Sequence, residues 1–439
     1  MQSHGRSSLQ INGPPLSQGD NRATSPIPPN GNVMPATEKN LKGGDNDSDS
    51  NSDEDEVIGD AGKKDLMSMA EMKRKQTTSI VLMGVIGAEF GQELEPIRKK
   101  EEVSLYPQAN DGKQVQEGFG IAQALARQTT QALSYLLLAP PSPGLPPYSA
   151  LRRSAVDLIG RGFPVWEPHL EVSKVLLGLL ELCAADADKL APSMEYGLPL
   201  TPVADMCRTS RHALLLVATA RPQVFITTLA REVARYNTLQ QNAQTLNVNL
   251  SASVLARAKA DMLRVLSKLF ETRQLEVVNL MVEVMDIVLH CIDTGHLRAK
   301  TLQEVFPTIC RFPMVAHCLQ TRRIAVGAQN GQLALYELKG SKCQSIPAHV
   351  AGITACAFAH DGKFLATYSQ SEARLSFWQT SSGMFGLGNT QTKCVKSFST
   401  APVPEIVRLN PLRTARLVWI NARTIALLMP DGSESRFSV

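Results

Sequence analysis

Residues 346–379, IPAHVAGITACAFAHDGKFLATYSQSEARLSFWQ, constrain this chain more than any other stretch. After His349, small and apolar residues alternate from Ile353 to Phe358, the pair Asp361-Gly362 interrupts them, a second run covers Phe364 to Ser369, and a third ends at Trp378. Such alternation predicts short antiparallel strands, because successive side chains point to opposite faces of a sheet and glycine supplies the backbone freedom a tight turn needs. The same grammar recurs on both sides. Upstream, VAHCLQ, RIAVGAQ, an Asn330-Gly331 turn, QLALYEL and KCQSIP fill residues 314–347. Downstream, EIVRLNP, ARLVWIN, TIALLMPDG and ESRFSV give a third set. Three units at about 42 residues each match the period of a repeating four-stranded sheet.

His349 and the pair Trp378-Gln379 stand where a WD repeat carries Gly-His and Trp-Asp, so the units resemble WD-type blades of a β-propeller. In such a blade a histidine, a strand hydroxyl, a turn acid and a tryptophan bond to one another and hold the strands in register. The resemblance gives those roles to His349, Ser369, Glu372 and Trp378, and places Asn330 and Tyr336 at the turn and tryptophan positions of the preceding unit. All are structural roles, not catalytic ones. Propellers close with typically four to eight blades. Three blades are therefore expected to be completed by a partner chain or within a longer polypeptide.

Composition excludes several classes of function. A net charge of +4 over 439 residues gives no case for nucleic acid, which needs a concentrated basic face. The eight cysteines are scattered with no Cys-x-x-Cys pair, and the N-terminal residues are polar, so the expectation is free thiols in a reducing cytosol. The longest apolar run, residues 80–90, is too short to span a bilayer. Phosphate-binding, dinucleotide, zinc-protease and serine-hydrolase motifs are all missing, so the sequence predicts no catalytic residue, no cofactor and no small-molecule substrate. Gly383, Gly386 and Gly388 read as a loop between strands rather than a phosphate cradle. His290, Cys291, His296, Cys310, His317 and Cys318 have the chemistry of metal ligands but the spacing of no zinc motif, so no metal site is expected.

Ahead of the strands the chain divides by composition. Residues 1–62 are rich in Ser, Pro, Gly, Asn and Asp, too poor in large apolar groups to offset the entropy of ordering, and read as a disordered tail. Within it Ser50 and Ser52 each precede an acid by three residues, the spacing acidophilic kinases favour, and are candidate phosphorylation sites. Residues 63–139 predict helices separated by a loop, 140–148 a proline-rich linker, and 149–313 a series of helices joined by short turns. Helices are expected over residues 149–160, 168–189, 204–220, 223–236, 251–270, 274–291 and 297–312. Residues 274–291, QLEVVNLMVEVMDIVLHC, are apolar around more than half the circumference and must be covered on several sides. Stacked helix pairs do that, so the fold class expected is α+β multidomain: a HEAT- or armadillo-like α-solenoid over 149–313, then three WD-type blades over 314–439.

The strings LIGRGFPVWEPHLEVS, ATARPQVFITTLAREV, LARAKADMLRV, MVEVMDIV, RIAVGAQNG and ITACAFAHDGKFLATYS closely resemble the C-terminal third of the beta subunits of the rabconnectin complex, a WD-repeat family. The resemblance covers roughly residues 75–439. It implies a cytoplasmic scaffold, peripheral to synaptic and endosomal vesicles, that binds a large WD-repeat alpha subunit and promotes assembly of the vacuolar proton pump (V-ATPase) through its V1 subunits. It supplies no catalytic residues. The vesicle membrane is reached through other proteins. A general vesicle-coat or tethering scaffold is the alternative, because helical layers joined to propeller blades also build coats.

Overall fold

The computed structural model describes residue 68 and residues 71–87, 116–184, 200–242, 249–293, 295–338, 342–381, 391–404 and 413–439. Ser50 and Ser52, the EIVRLNP segment, and Gly383, Gly386 and Gly388 lie outside them. Within them the chain is mixed: helices first, then three antiparallel sheets.

The first helix, α1, covers residues 71–87. It approaches its neighbours through glycine: a Cβ at Gly87 would lie 2.0 Å from Trp166 Cη2, and one at Gly84 2.7 Å from Leu158 Cδ1. No larger residue allows that contact. α2 (Gln116–Leu138) and α3 (Ala150–Arg161) are joined through a buried cation. The Arg152 guanidinium donates to Leu137 O at 2.8 Å and Ala139 O at 2.9 Å, satisfying carbonyls that the end of α2 leaves without helical partners. Ser149 caps α3 by accepting from Arg152 N, where the sequence predicts a helix start.

α4 (Val172–Cys183), α5 (Pro202–Ala220) and α6 (Pro222–Gln241) follow. Both α5 and α6 begin at a proline, whose missing N–H costs nothing in a first turn. Pro222 also disfavours helical backbone at Arg221, and the chain bends there by 114°. Next come α7 (Lys259–Thr272), α8 (Gln274–Asn279) and α9 (Met281–Cys291). The helices expected over 251–270 and 274–291 are each broken, at Ala258 and at Leu280 (φ −121°, ψ 29°). Asn279 is a poor interior residue, and Leu280 N–H turns to Val277 O in a tightened turn before α9 restarts. The helix expected over 297–312 is also corrected. Pro307 interrupts it, leaving a capping-box turn at Leu302–Val305 and 3₁₀ turns at His296–Arg298 and Pro307–Arg311. α9 buries Met281, Val284, Met285, Ile287, Val288 and Cys291, as its all-round apolar pattern requires. Among the described residues no single helix is long and apolar enough to cross a membrane.

The first sheet runs β1 (Val315–Cys318), β2 (Arg323–Gly327), β3 (Gln332–Glu337), β4 (Lys342–Pro347), in that order. The second runs β5 (Ala355–Phe358), β6 (Phe364–Ser369), β7 (Arg374–Ser381), β8 (Gln391–Ser399). The third holds β9 (Arg416–Trp419), β10 (Thr424–Leu428) and β11 (Glu434–Ser438). Each sheet carries the same turn device: Asn330, Asp361 and Asp431 accept from the backbone N–H two residues on, at 3.0, 3.0 and 2.9 Å, and each is followed by a glycine of positive φ.

The layers form a row. Ile324, Val326, Ala334 and Tyr336 of the first sheet join the helical core. Its other face, with Ala325, Leu333 and Leu335, packs on Cys356, Leu365 and Trp378 of the second. The second sheet's far side, with Ala355, Tyr368, Leu375 and Phe377, meets Trp419, Ile425 and Leu427 of the third. Trp419 also donates from Nε1 to Ala357 O at 3.0 Å.

Candidate functional site

The densest polar constellation lies in the second sheet. β6 and β7 place Thr367 and Trp378 on one face, the loop before β5 brings His349, and the β6–β7 turn brings Glu372. Trp378 Nε1 lies 2.8 Å from Thr367 Oγ1, Thr367 Oγ1 lies 2.9 Å from His349 Nε2, and His349 Nδ1 lies 3.2 Å from Glu372 Oε2. An indole N–H only donates and a carboxylate only accepts. Thr367 therefore accepts from Trp378 and donates to His349 Nε2, and His349 Nδ1–H donates to Glu372. One neutral tautomer satisfies the whole chain of bonds.

Glu372 also takes the Val350 N–H and the Ala351 N–H, the latter at 2.6 Å, so it pins the loop that delivers His349. From the other side, Ala348 N–H and His349 N–H both donate to Gly331 O at 3.1 Å. Gly331 (φ 81°) fits there because a Cβ would stand 2.0 Å from His349 O. The turn of the first sheet and the network of the second are thus one assembly.

Ser369, the strand hydroxyl expected from the sequence, is not in this network. Thr367 holds that place, one same-face step earlier along β6, and the buried Ser369 hydroxyl has no hydrogen-bond partner among the described residues. Tyr336 and Asn330 are corrected too. Tyr336 lies opposite Ile324 in its sheet as Trp378 lies opposite Leu365, but Val326, on the same face of β2, offers no hydroxyl. Its O–H instead crosses to α9, donating to Asp286 Oδ1 at 2.9 Å and Val282 O at 3.3 Å. Asn330 closes its own turn, accepting from Gln332 N–H.

Electrostatics point the same way. Burial pushes the His349 pKa below its ordinary 6.5 against the opposing pull of Glu372, which favours the neutral ring the network uses. Burial works against ionisation of Glu372, but the Ala351, His349 and Val350 donors outweigh it and hold its pKa below the usual 4.5. Both depressed values make the fold acid-sensitive. The unfolded chain takes up a proton at His349 first, so stability falls as pH drops below about 6.5 towards the folded-state value, and Glu372 adds a second loss below about 4.5. Urea midpoints at pH 7.5, 6 and 5 should decline in that order. In His349→Gln the decline between pH 7.5 and 6 should shrink; an unchanged slope would remove His349 as its source.

A second polar region lines a groove of about 640 Å³ among α6, α7, α9, β3 and β4, with Tyr236, Lys259, Asp286, His290, Tyr336 and Cys343. Burial raises Asp286 and Cys343 and lowers His290. A raised thiol is a poor nucleophile. Two of the candidate metal ligands meet backbone groups: His290 Nε2 lies 3.2 Å from Leu255 O, and His317 Nδ1 accepts from Leu302 N–H at 3.0 Å. Among the described residues no three His, Cys, Asp or Glu side chains come together to hold a metal ion.

No family model matches the sequence. One similar solved structure is Hsv2 of Kluyveromyces lactis, with 14% identity, a TM-score of 0.24, and a match covering 29% of this chain and 41% of that one.

Proposed function

We propose that the chain is a non-enzymatic scaffold of the rabconnectin beta-subunit kind, an α-solenoid followed by three WD-type propeller blades. In this reading it binds a large WD-repeat alpha subunit and the V1 subunits of the V-ATPase, sits in the cytoplasm at the surface of synaptic and endosomal vesicles, and promotes pump assembly and acidification. The observation that supports it most is the use made of the polar side chains. His349, Thr367, Glu372 and Trp378 are bonded to one another and to loop amides, which fixes strand register and commits these four side chains to structure. Rigid layered sheets and helices offer broad surfaces and loops for other proteins.

Affinity purification of the tagged chain tests this directly. V1 subunits should co-purify, and vesicle lumenal pH should rise when the protein is depleted. Absence of both removes the reading. Mislocalised cargo with normal lumenal pH would replace it with a coat or tethering scaffold.

A further inference from the structure

Among the described residues, two of the three sheets have four strands and the third has three. β3 and β7 are paired on their far sides by β4 and β8, both antiparallel. β11 holds the corresponding place and pairs with β10; among the described residues no strand runs along its other edge. The register fixes which groups face that edge. Met429 N–H bonds Ser433 O at 2.8 Å and Val439 N–H bonds Arg423 O at 2.9 Å. By the alternation of an antiparallel ladder, Ser435 and Phe437 then turn their N–H and C=O groups to β10, while Glu434, Arg436 and Ser438 turn theirs outward. One of those outward groups is already used: Ser438 O accepts from Lys396 Nζ of β8 at 3.0 Å.

β8 forms a second wall to this notch. Its Phe398 ring lies 5.2 Å from the Phe437 ring, and Lys396 Nζ stands 4.9 Å over the Phe398 ring. Lys393 and Lys396 are exposed, and Val395 is 45% exposed. The only acid of β11, Glu434, is paired with Arg436. Among the described residues the notch therefore offers a backbone edge with no strand on it, an aromatic floor and an excess of positive charge.

The geometry points to a strand-addition site: an extended acidic segment of a partner protein pairs antiparallel with β11, as β4 does with β3 and β8 with β7. Main-chain bonds to Glu434 and Arg436 supply affinity, and carboxylates beside Lys393 and Lys396 supply selectivity. A second copy suits the place less well. It would bring another lysine-bearing β8 to the seam, and two five-residue edges meeting bury far less than the roughly 1,200 Å² of a stable dimer. The inference stands apart from the proton-pump reading and fails or holds without it.

The probe is a short, end-capped synthetic peptide alternating valine with glutamate, labelled with fluorescein, beside a proline-interrupted control of the same composition. With the full chain, anisotropy should show saturable binding of the first peptide alone. Arg436→Pro removes an outward N–H and keeps the ladder to β10, so binding should weaken about tenfold, the scale of one lost backbone bond. Lys396→Glu should weaken it several-fold, with the difference shrinking as salt rises. Hydrogen exchange of the unmutated protein decides even if a variant misfolds: the Glu434 and Arg436 amides should exchange freely alone and slow with peptide. No saturable binding, or no slowing at those amides, overturns the proposal. Slow exchange without peptide also overturns it, assigning the edge to a second copy if it depends on protein concentration and to this chain itself if it does not.

Discussion

Thr367→Val should destabilise the second sheet by about 2–4 kcal/mol, because it strands two buried groups at once. The Trp378 indole N–H and the His349 Nε2 both end on that hydroxyl. Valine keeps the volume and the β-branched shape, so packing does not mask the loss of bonds. Ser369→Ala is the matched control: its hydroxyl is buried without a partner among the described residues, and its removal should change stability by less than about 0.5 kcal/mol or raise it slightly. Urea unfolding followed by tryptophan fluorescence measures both. Adding Trp378→Phe to Thr367→Val should cost less than the sum of the single changes, since the two side chains share one bond. If Ser369→Ala proves the more damaging change, the network as described is wrong.

Trp166→Ala should cost about 3–5 kcal/mol, the range for emptying a large buried site. The indole is 2% exposed, donates from Nε1 to Leu158 O at 2.9 Å, and fills the space that Gly87 of α1 leaves open. Removing it takes away the floor on which α1 rests. The helical circular-dichroism transition should move to lower urea. The fluorescence of Trp378 and Trp419, now the only two indoles, should move with it, because the first sheet shares the helical core through Ile324, Val326, Ala334 and Tyr336. An unmoved midpoint would show that Trp166 does not pack where it is described.

Local rules made much of this fold readable in advance. Period-two alternation with Asn330-Gly331 and Asp361-Gly362 located the strands and turns, Ser149 marked a helix start and Arg221-Pro222 the break between two helices, because each signal acts within a few residues. What escaped depended on distance or on degeneracy. Thr367 and Ser369 share a face of β6, so alternation cannot tell which one meets a histidine eighteen residues upstream of the first. The partner of Tyr336 lies on α9, fifty residues earlier, and no strand pattern names it. The breaks at Ala258 and Leu280 fall inside continuous apolar spacing, where periodicity reports burial and is blind to a local change of helix direction.

Because one side of the first sheet is fused to the helical core while Val418 and Ile420 of the third stand 49% and 47% exposed at the opposite end, the series has a polarity. Among the described residues the helices already cover the outer side of the first sheet, so a further layer would find its apolar contact at the exposed face of the third.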